Sequence, residues 1–154
     1  MKKLKLFLVL AVFGFASITA LAGPKYYITF HNDSDTVVNI SPAESGDWLP
    51  NDLAKNWTIP AHNSVTLYTE SKALKDGSVG VDLSTDKGKF SHVAIWINKH
   101  SPVPASCNIT KSCAMNKEWI GTTNPKVTTT MSTNIEGSTG GTVTANVFIQ
   151  KDAF

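Results

Sequence analysis

Histidines are the side chains best suited to proton transfer or metal ligation near neutral pH, and this chain has four: His31, His62, His92 and His100. A Ser-His-Asp set can be drawn on paper from His92, Asp82 and any of many serines. No Gly-x-Ser-x-Gly elbow singles out one of those serines. His92 sits on an apolar stretch, where a packed histidine is the simpler expectation. His31 lies close to Asp33 and Asp35, residue types that ligate metals, yet Asn32-Asp33-Ser34-Asp35 is first of all a turn sequence. Asp82, Asp86 and Gly88 lack the ligand spacing of a calcium loop. Neither a phosphate loop nor a dinucleotide fingerprint occurs, and nothing favours a carboxylate pair for glycoside hydrolysis. The expectation is a protein without catalytic residues, metal or cofactor.

The aromatic residues say more. Tyr26 and Trp96 lie on strand-like segments and read as core. Trp48, Trp57 and Trp119 stand among polar or turn residues, in Gly46-Asp47-Trp48, Asn56-Trp57-Thr58 and Lys117-Glu118-Trp119. An amphipathic ring in such a place can stack on a sugar or lie at a lipid headgroup boundary. These three tryptophans are the candidate ligand-binding residues, with core packing as the alternative.

The chain has 154 residues, of which 42% are hydrophobic, a composition that excludes a disordered polymer and leaves room for one domain. Met1 to Ala22 reads as a secretory signal peptide: Lys2, Lys3 and Lys5, an apolar core from Leu6 to Phe15, then Ala20-Leu21-Ala22 as the cleavage site. The apolar stretch is shorter than the ~20 residues a membrane-spanning helix needs. Domain organisation is therefore 1–22 as a cleaved signal and 23–154 as one domain, secreted or periplasmic. Removing 22 of the 154 residues leaves 132, and losing three of the 14 basic residues against 12 acids takes the formal charge from +2 to −1. All the basic residues are lysine. A near-neutral, arginine-free domain is poorly suited to nucleic acid. Cys107 and Cys113, the two cysteines, are expected to pair in an oxidising compartment. Sequons such as Asn32-Asp33-Ser34, Asn56-Trp57-Thr58 and Asn108-Ile109-Thr110 are not expected to matter, because the lysine-rich signal has a bacterial character.

The domain reads as short strands between turn clusters. Tyr26, Ile28 and Phe30 share one face of a first strand, and Thr36 to Ile40 is expected to return beside it as a hairpin. Further strands are expected at Asn56 to Ile59, Ser64 to Thr69, Val79 to Leu83 and Glu118 to Ile120, with one helical turn at Ser71 to Asp76. Phe90 to Asn98 is apolar on both faces and reads as a central strand. Lys126 to Asn134 and Gly141 to Gln150 form a final hairpin, with Val143, Ala145, Val147 and Ile149 on one face and Thr142, Thr144, Asn146 and Phe148 on the other. No segment carries a long 3.6-residue period. The expected fold is all-β, a single antiparallel sandwich of about eight or nine strands.

Four segments in order resemble the aegerolysins, small β-sandwich proteins that bind membrane lipids, some acting with a larger pore-forming partner. They are the aromatic-rich first strand running into His31-Asn32; Ile59-Pro60-Ala61 before a strand; Gly77-Ser78-Val79-Gly80-Val81-Asp82-Leu83; and Gly141-Thr142-Val143-Thr144 in the last strand. The chain departs from the family's Trp-x-Cys-Pro-Trp-Gly segment, where only Trp96 corresponds, and in its Cys107–Cys113 loop and export signal. The resemblance implies a non-enzymatic sandwich whose partner is a membrane lipid surface, with a larger protein as the further partner that some members use. A glycan- or protein-binding module is the alternative, and a small secreted hydrolase the third reading.

Overall fold

The computed structural model describes residues 22–46, 48–72, 77–97, 111–113, 118–134 and 141–154. The expected signal peptide, the 73–76 part of the expected helical turn, His100 and Cys107 with its pairing to Cys113 lie outside these residues. Among the described residues are eleven strands: β1 Ala22–Asn32, β2 Val38–Glu44, β3 Trp48–Leu49, β4 Trp57–Ile59, β5 Asn63–Lys72, β6 Gly77–Thr85, β7 Gly88–Ile97, β8 Lys111–Cys113, β9 Glu118–Thr122, β10 Val127–Asn134 and β11 Thr142–Ile149. A single 3-10 turn, Asn51–Ala54, joins β3 to β4.

The strands form two packed sheets, a β-sandwich as the alternation implies. The first sheet runs β10-β11-β1-β5-β3 and the second β4-β2-β6-β7-β9-β8. Neighbours are antiparallel except β1 and β11, which run parallel with Lys25 opposite Thr142 and Asn32 opposite Ile149. Period-2 patterning puts Tyr26, Ile28, Phe30, Leu67, Val143, Ala145 and Val147 on the inner face of the first sheet, all buried. Val38, Ile40, Val79, Val81, Leu83, Val93, Ile95 and Ile120 answer them from the second sheet. β7 lies between β6 and β9, so the central position expected of Phe90 to Asn98 is observed for Phe90 to Ile97, Asn98 lying outside the described residues. The final hairpin is also observed, in the register Val127–Ile149 to Asn134–Thr142.

One expectation is overturned. β1 and β2 do not form a hairpin; the chain arches from the first sheet into the second. The cause is Asn32, which is 1% exposed. Its Nδ2 donates to the carbonyls of Thr36 (2.8 Å), Ile59 (3.2 Å) and Pro60 (3.1 Å). Its Oδ1 accepts from the Ser34 amide (3.1 Å) and hydroxyl (2.6 Å). A buried carboxamide satisfies backbone groups that no strand partner reaches, and here it fixes a corner between the sheets. Asn124 acts likewise at the other edge, donating to the Phe90 and Ala153 carbonyls and accepting from the Lys126 amide. By contrast, β6 and β7 do form a tight hairpin, turning at Gly88 with φ of 118°, where a side chain would be strained.

The edge of β5 beyond the short β3 is covered by the 3-10 turn. Asp52 Oδ2 accepts the Tyr68 amide at 3.1 Å, satisfying a donor that an exposed sheet edge would present to another chain. Leu53 from the same turn enters the core.

Candidate functional site

The strands that carry the three candidate tryptophans do not adjoin one another: β3 belongs to the first sheet, and β4 and β9 stand apart in the second. Trp48, on β3 of the first sheet, is 3% exposed and packs its ring 4.8 Å from that of Tyr26. Trp57, on β4 at one edge of the second sheet, is half-buried, and its indole N–H donates to the Asp52 carbonyl at 2.8 Å. Trp119 stands on β9, separated from β4 by three strands, opposite Trp96 in register; its side chain lies outside the described residues. Trp48 is thus a packing residue. Turn-like neighbours in the sequence do not report that β3 folds back along β5.

The histidines separate as well. His31 does not approach Asp33 or Asp35; it lies on the outer face of the first sheet. Asp35 instead holds His62 (2.8 Å) and Lys151 (2.7 Å) at the arch end of the sandwich. The bond from Lys151, and after it that from His62, keeps the Asp35 carboxyl below its usual range. Among the described residues no group of three or more His, Cys, Asp or Glu side chains gathers to hold a metal.

Asp82 and His92 do meet, on the outer face of the second sheet. His92 Nδ1 donates to Asp82 Oδ1 at 2.7 Å, and Lys89 Nζ reaches the same oxygen at 2.8 Å. Burial pushes the Asp82 carboxyl up, but the bonds from Lys89 and His92 together outweigh it and hold the group below its ordinary value. The ring of His92 lies over Gly80, where an added Cβ would stand 3.0 Å from Cε1 and Nε2. The other ring nitrogen faces Glu44 at 3.8 Å, and no described hydroxyl or thiol bonds to it. An aspartate-oriented histidine without an adjacent nucleophile is half of a triad. Beside it, Pro42, Pro50, Leu53 and Glu44 help line a shallow hollow of about 140 Å³. Ligand pockets usually span about 300–1,000 Å³, so the hollow is too small to enclose a typical ligand.

A broader feature is the outer face of the first sheet, which sequence reasoning did not assemble. Its rows follow directly from the register. Thr144, Tyr27 and Tyr68 form one row, Asn146, Thr29 and Thr66 the next, and Phe148, His31 and Ser64 the third. Thr128, Thr130 and Ser132 extend them on β10. Tyr27 is 41% exposed, with its ring 5.4 Å from that of Tyr68. Leu49, 44% exposed, stands at the β3 edge beside Glu70. His31 stacks on Phe148 at 4.7 Å and 10° between planes. Its Nε2 donates to Asn146 Oδ1 at 3.0 Å, and Asn146 Nδ2 donates to Thr130 Oγ1 at 3.2 Å. Thr29 and Thr66 share a hydroxyl bond of 2.9 Å. Among the described side chains, the charges on this face are Lys25 and Glu70, opposite one another at one end. Glu70 accepts the Tyr68 hydroxyl at 2.5 Å. Desolvation first, and that bond second, push the Tyr68 phenol up to about 12.

The face was legible in part. Thr142, Thr144, Asn146 and Phe148 were placed together by alternation, and Tyr27 falls opposite the inward Tyr26. That β11, β1 and β5 are neighbours is long-range information, absent from any local pattern.

No family model matches the chain, and no curated protein matches it. Among solved structures it is similar to IP-1A from Alcaligenes faecalis, with a TM-score of 0.45 and 12% identity over 86% of this chain and 95% of that one. It is similar to the same degree to the RahU protein, solved in complex with Tris, with a TM-score of 0.45 and 12% identity over 84% and 97%. At that level of likeness, the β-sandwich assignment rests on the strand pairing of this chain itself.

Proposed function

We propose that the protein is a non-enzymatic recognition module, exported to the periplasm or beyond, that binds membrane lipid headgroups through the outer face of its first sheet. The observation that carries this reading is the exposed Tyr27, backed by Tyr68 and with Leu49 at the neighbouring edge, on a broad sheet face whose charged groups, among the described side chains, are one facing pair. Tyrosine has an apolar ring and a polar tip, which suits the boundary between headgroups and water. The neighbouring threonine and serine hydroxyls offer donors and acceptors without requiring a charged ligand. A rigid sheet presents these groups with little ordering cost on binding.

Co-sedimentation with vesicles of bacterial polar lipid tests the reading. The protein is expected to pellet with vesicles, and Tyr27→Ala with Leu49→Ala to stay in the supernatant while melting like the parent. Equal pelleting of the double variant, or no pelleting of the parent, contradicts it. Soluble glycan capture without vesicle binding favours the alternative glycan module.

A further inference from the structure

The lipid-headgroup reading leaves the headgroup's chemistry open, and the face that supports that reading narrows it. We infer that the outer face of the first sheet recognises an uncharged sugar ring, carried on a lipid; this rests on the proposed membrane function.

Three properties converge on that chemistry. The first is charge. Lys25 and Glu70 oppose one another in register, and His31 already donates to Asn146. An anionic headgroup needs convergent cations or amides. Among the described side chains of the outer face there is one lysine, set beside a carboxylate; Lys72 holds the next same-face position of β5, at the far end from the threonine rows. The second is a stacking platform. The Tyr27 ring is exposed and braced at 5.4 Å by Tyr68, whose hydroxyl is tied to Glu70. A braced aromatic loses little rotamer freedom when the apolar face of a pyranose settles on it.

The third is the row beside the platform. Thr29 and Thr66 are joined to each other, and Asn146 joins His31 to Thr130. Each threonine hydroxyl both donates and accepts, and mutual bonding orients these groups before any ligand arrives. Neighbouring strands stand about 4.8 Å apart, so the row presents polar groups at short, regular intervals next to an apolar ring. Sugar hydroxyls, set around a ring with one flat apolar face, ask for that combination. A zwitterionic phosphate headgroup does not use it.

The test is flotation with three vesicle types, phosphatidylcholine alone, phosphatidylcholine with phosphatidylglycerol, and phosphatidylcholine with a monoglucosyl diacylglycerol, plus competition by free glucose disaccharides. Binding is expected to be tighter to the glucosyl vesicles by about tenfold, and to be reduced by the free disaccharide. Tyr27→Ala should lose that margin and Tyr27→Phe should keep it. Thr29→Val with Thr66→Val should reduce binding several-fold without lowering the melting temperature by more than a few degrees. Equal, Tyr27-dependent binding to all three vesicle types overturns the sugar inference and leaves the membrane reading standing. Binding that follows phosphatidylglycerol overturns it as well. Binding of free disaccharide without any vesicle binding upholds sugar recognition and overturns the membrane reading. No binding in any arm overturns both.

Discussion

Replacing Asn32 by alanine removes a carboxamide that bridges the two sheets. Its side chain makes three donated and two accepted contacts, at 2.6 to 3.2 Å, in a site 1% exposed. A made hydrogen bond contributes about 0.5–1.5 kcal/mol net, and each buried group left unpaired costs about 1–3 kcal/mol. The Thr36 and Pro60 contacts are only part-buried, so water can replace some of them. The Ile59 carbonyl and the Ser34 amide and hydroxyl are the buried partners. The expected loss is therefore about 3–5 kcal/mol, a large share of the ~5–15 kcal/mol by which domains are stable. Urea denaturation followed by far-UV circular dichroism measures it. The midpoint should fall with little change in slope, because the surface exposed on unfolding stays the same. Asn32→Asp is the sharper companion. It keeps the acceptor but sets a second oxygen against three carbonyls, so the introduced carboxyl is more easily protonated when folded. That variant should gain stability as pH falls through its raised pKa and lose it as pH rises. A loss below about 1 kcal/mol for Asn32→Ala would refute the account of the arch.

Further expectations concern other parts of the molecule. Gly80→Ala sets a methyl 3.0 Å from the His92 ring and the Val93 carbonyl; it should cost about 1–3 kcal/mol, read by thermal melting, and shift the His92 ring resonances. Trp48→Ala empties a core position beside Tyr26; it should cost about 3–5 kcal/mol, while Trp48→Phe retains binding. Tyr68 should titrate near 12, after ordinary tyrosines; its stabilisation is complete below the unfolded pKa of about 10 and is lost as pH rises toward 12, so ultraviolet titration of Tyr68→Phe should lack that late step. Asp82, held below its ordinary value by Lys89 and His92 against the opposing effect of burial, stabilises the fold above the unfolded carboxyl range. That contribution is lost as pH falls through the lowered pKa, and Asp82→Asn should flatten the acid limb of the stability profile.

The strand faces were legible because alternation is a local property. Tyr26, Ile28 and Phe30, or Val143, Ala145, Val147 and Ile149, declare one buried side whatever their partners are. Partnering is not local, and this is where the sequence misled. The turn cluster after His31 suits a hairpin, yet Asn32 and Ser34 turn inward and send the chain into the other sheet. The parallel β1–β11 pairing joins the two ends of the described domain, which no neighbouring residues encode. The same reason hid the candidate face. Trp48, among turn residues, looked exposed and is core, whereas Tyr27, inside a strand, is the ring that reaches solvent. Position on a finished sheet, rather than local polarity, decides which aromatic is available.

In the proposed reading, the outer face of the first sheet makes the contact. Amide chemical-shift mapping during titration with lipid nanodiscs containing glycolipid tests it most directly. The largest perturbations are expected on Tyr27, Thr29, Thr66, Tyr68 and Thr144, with the second sheet around His92 unchanged. Perturbations centred on Asp82 and His92, or spread evenly over both sheets, would contradict it.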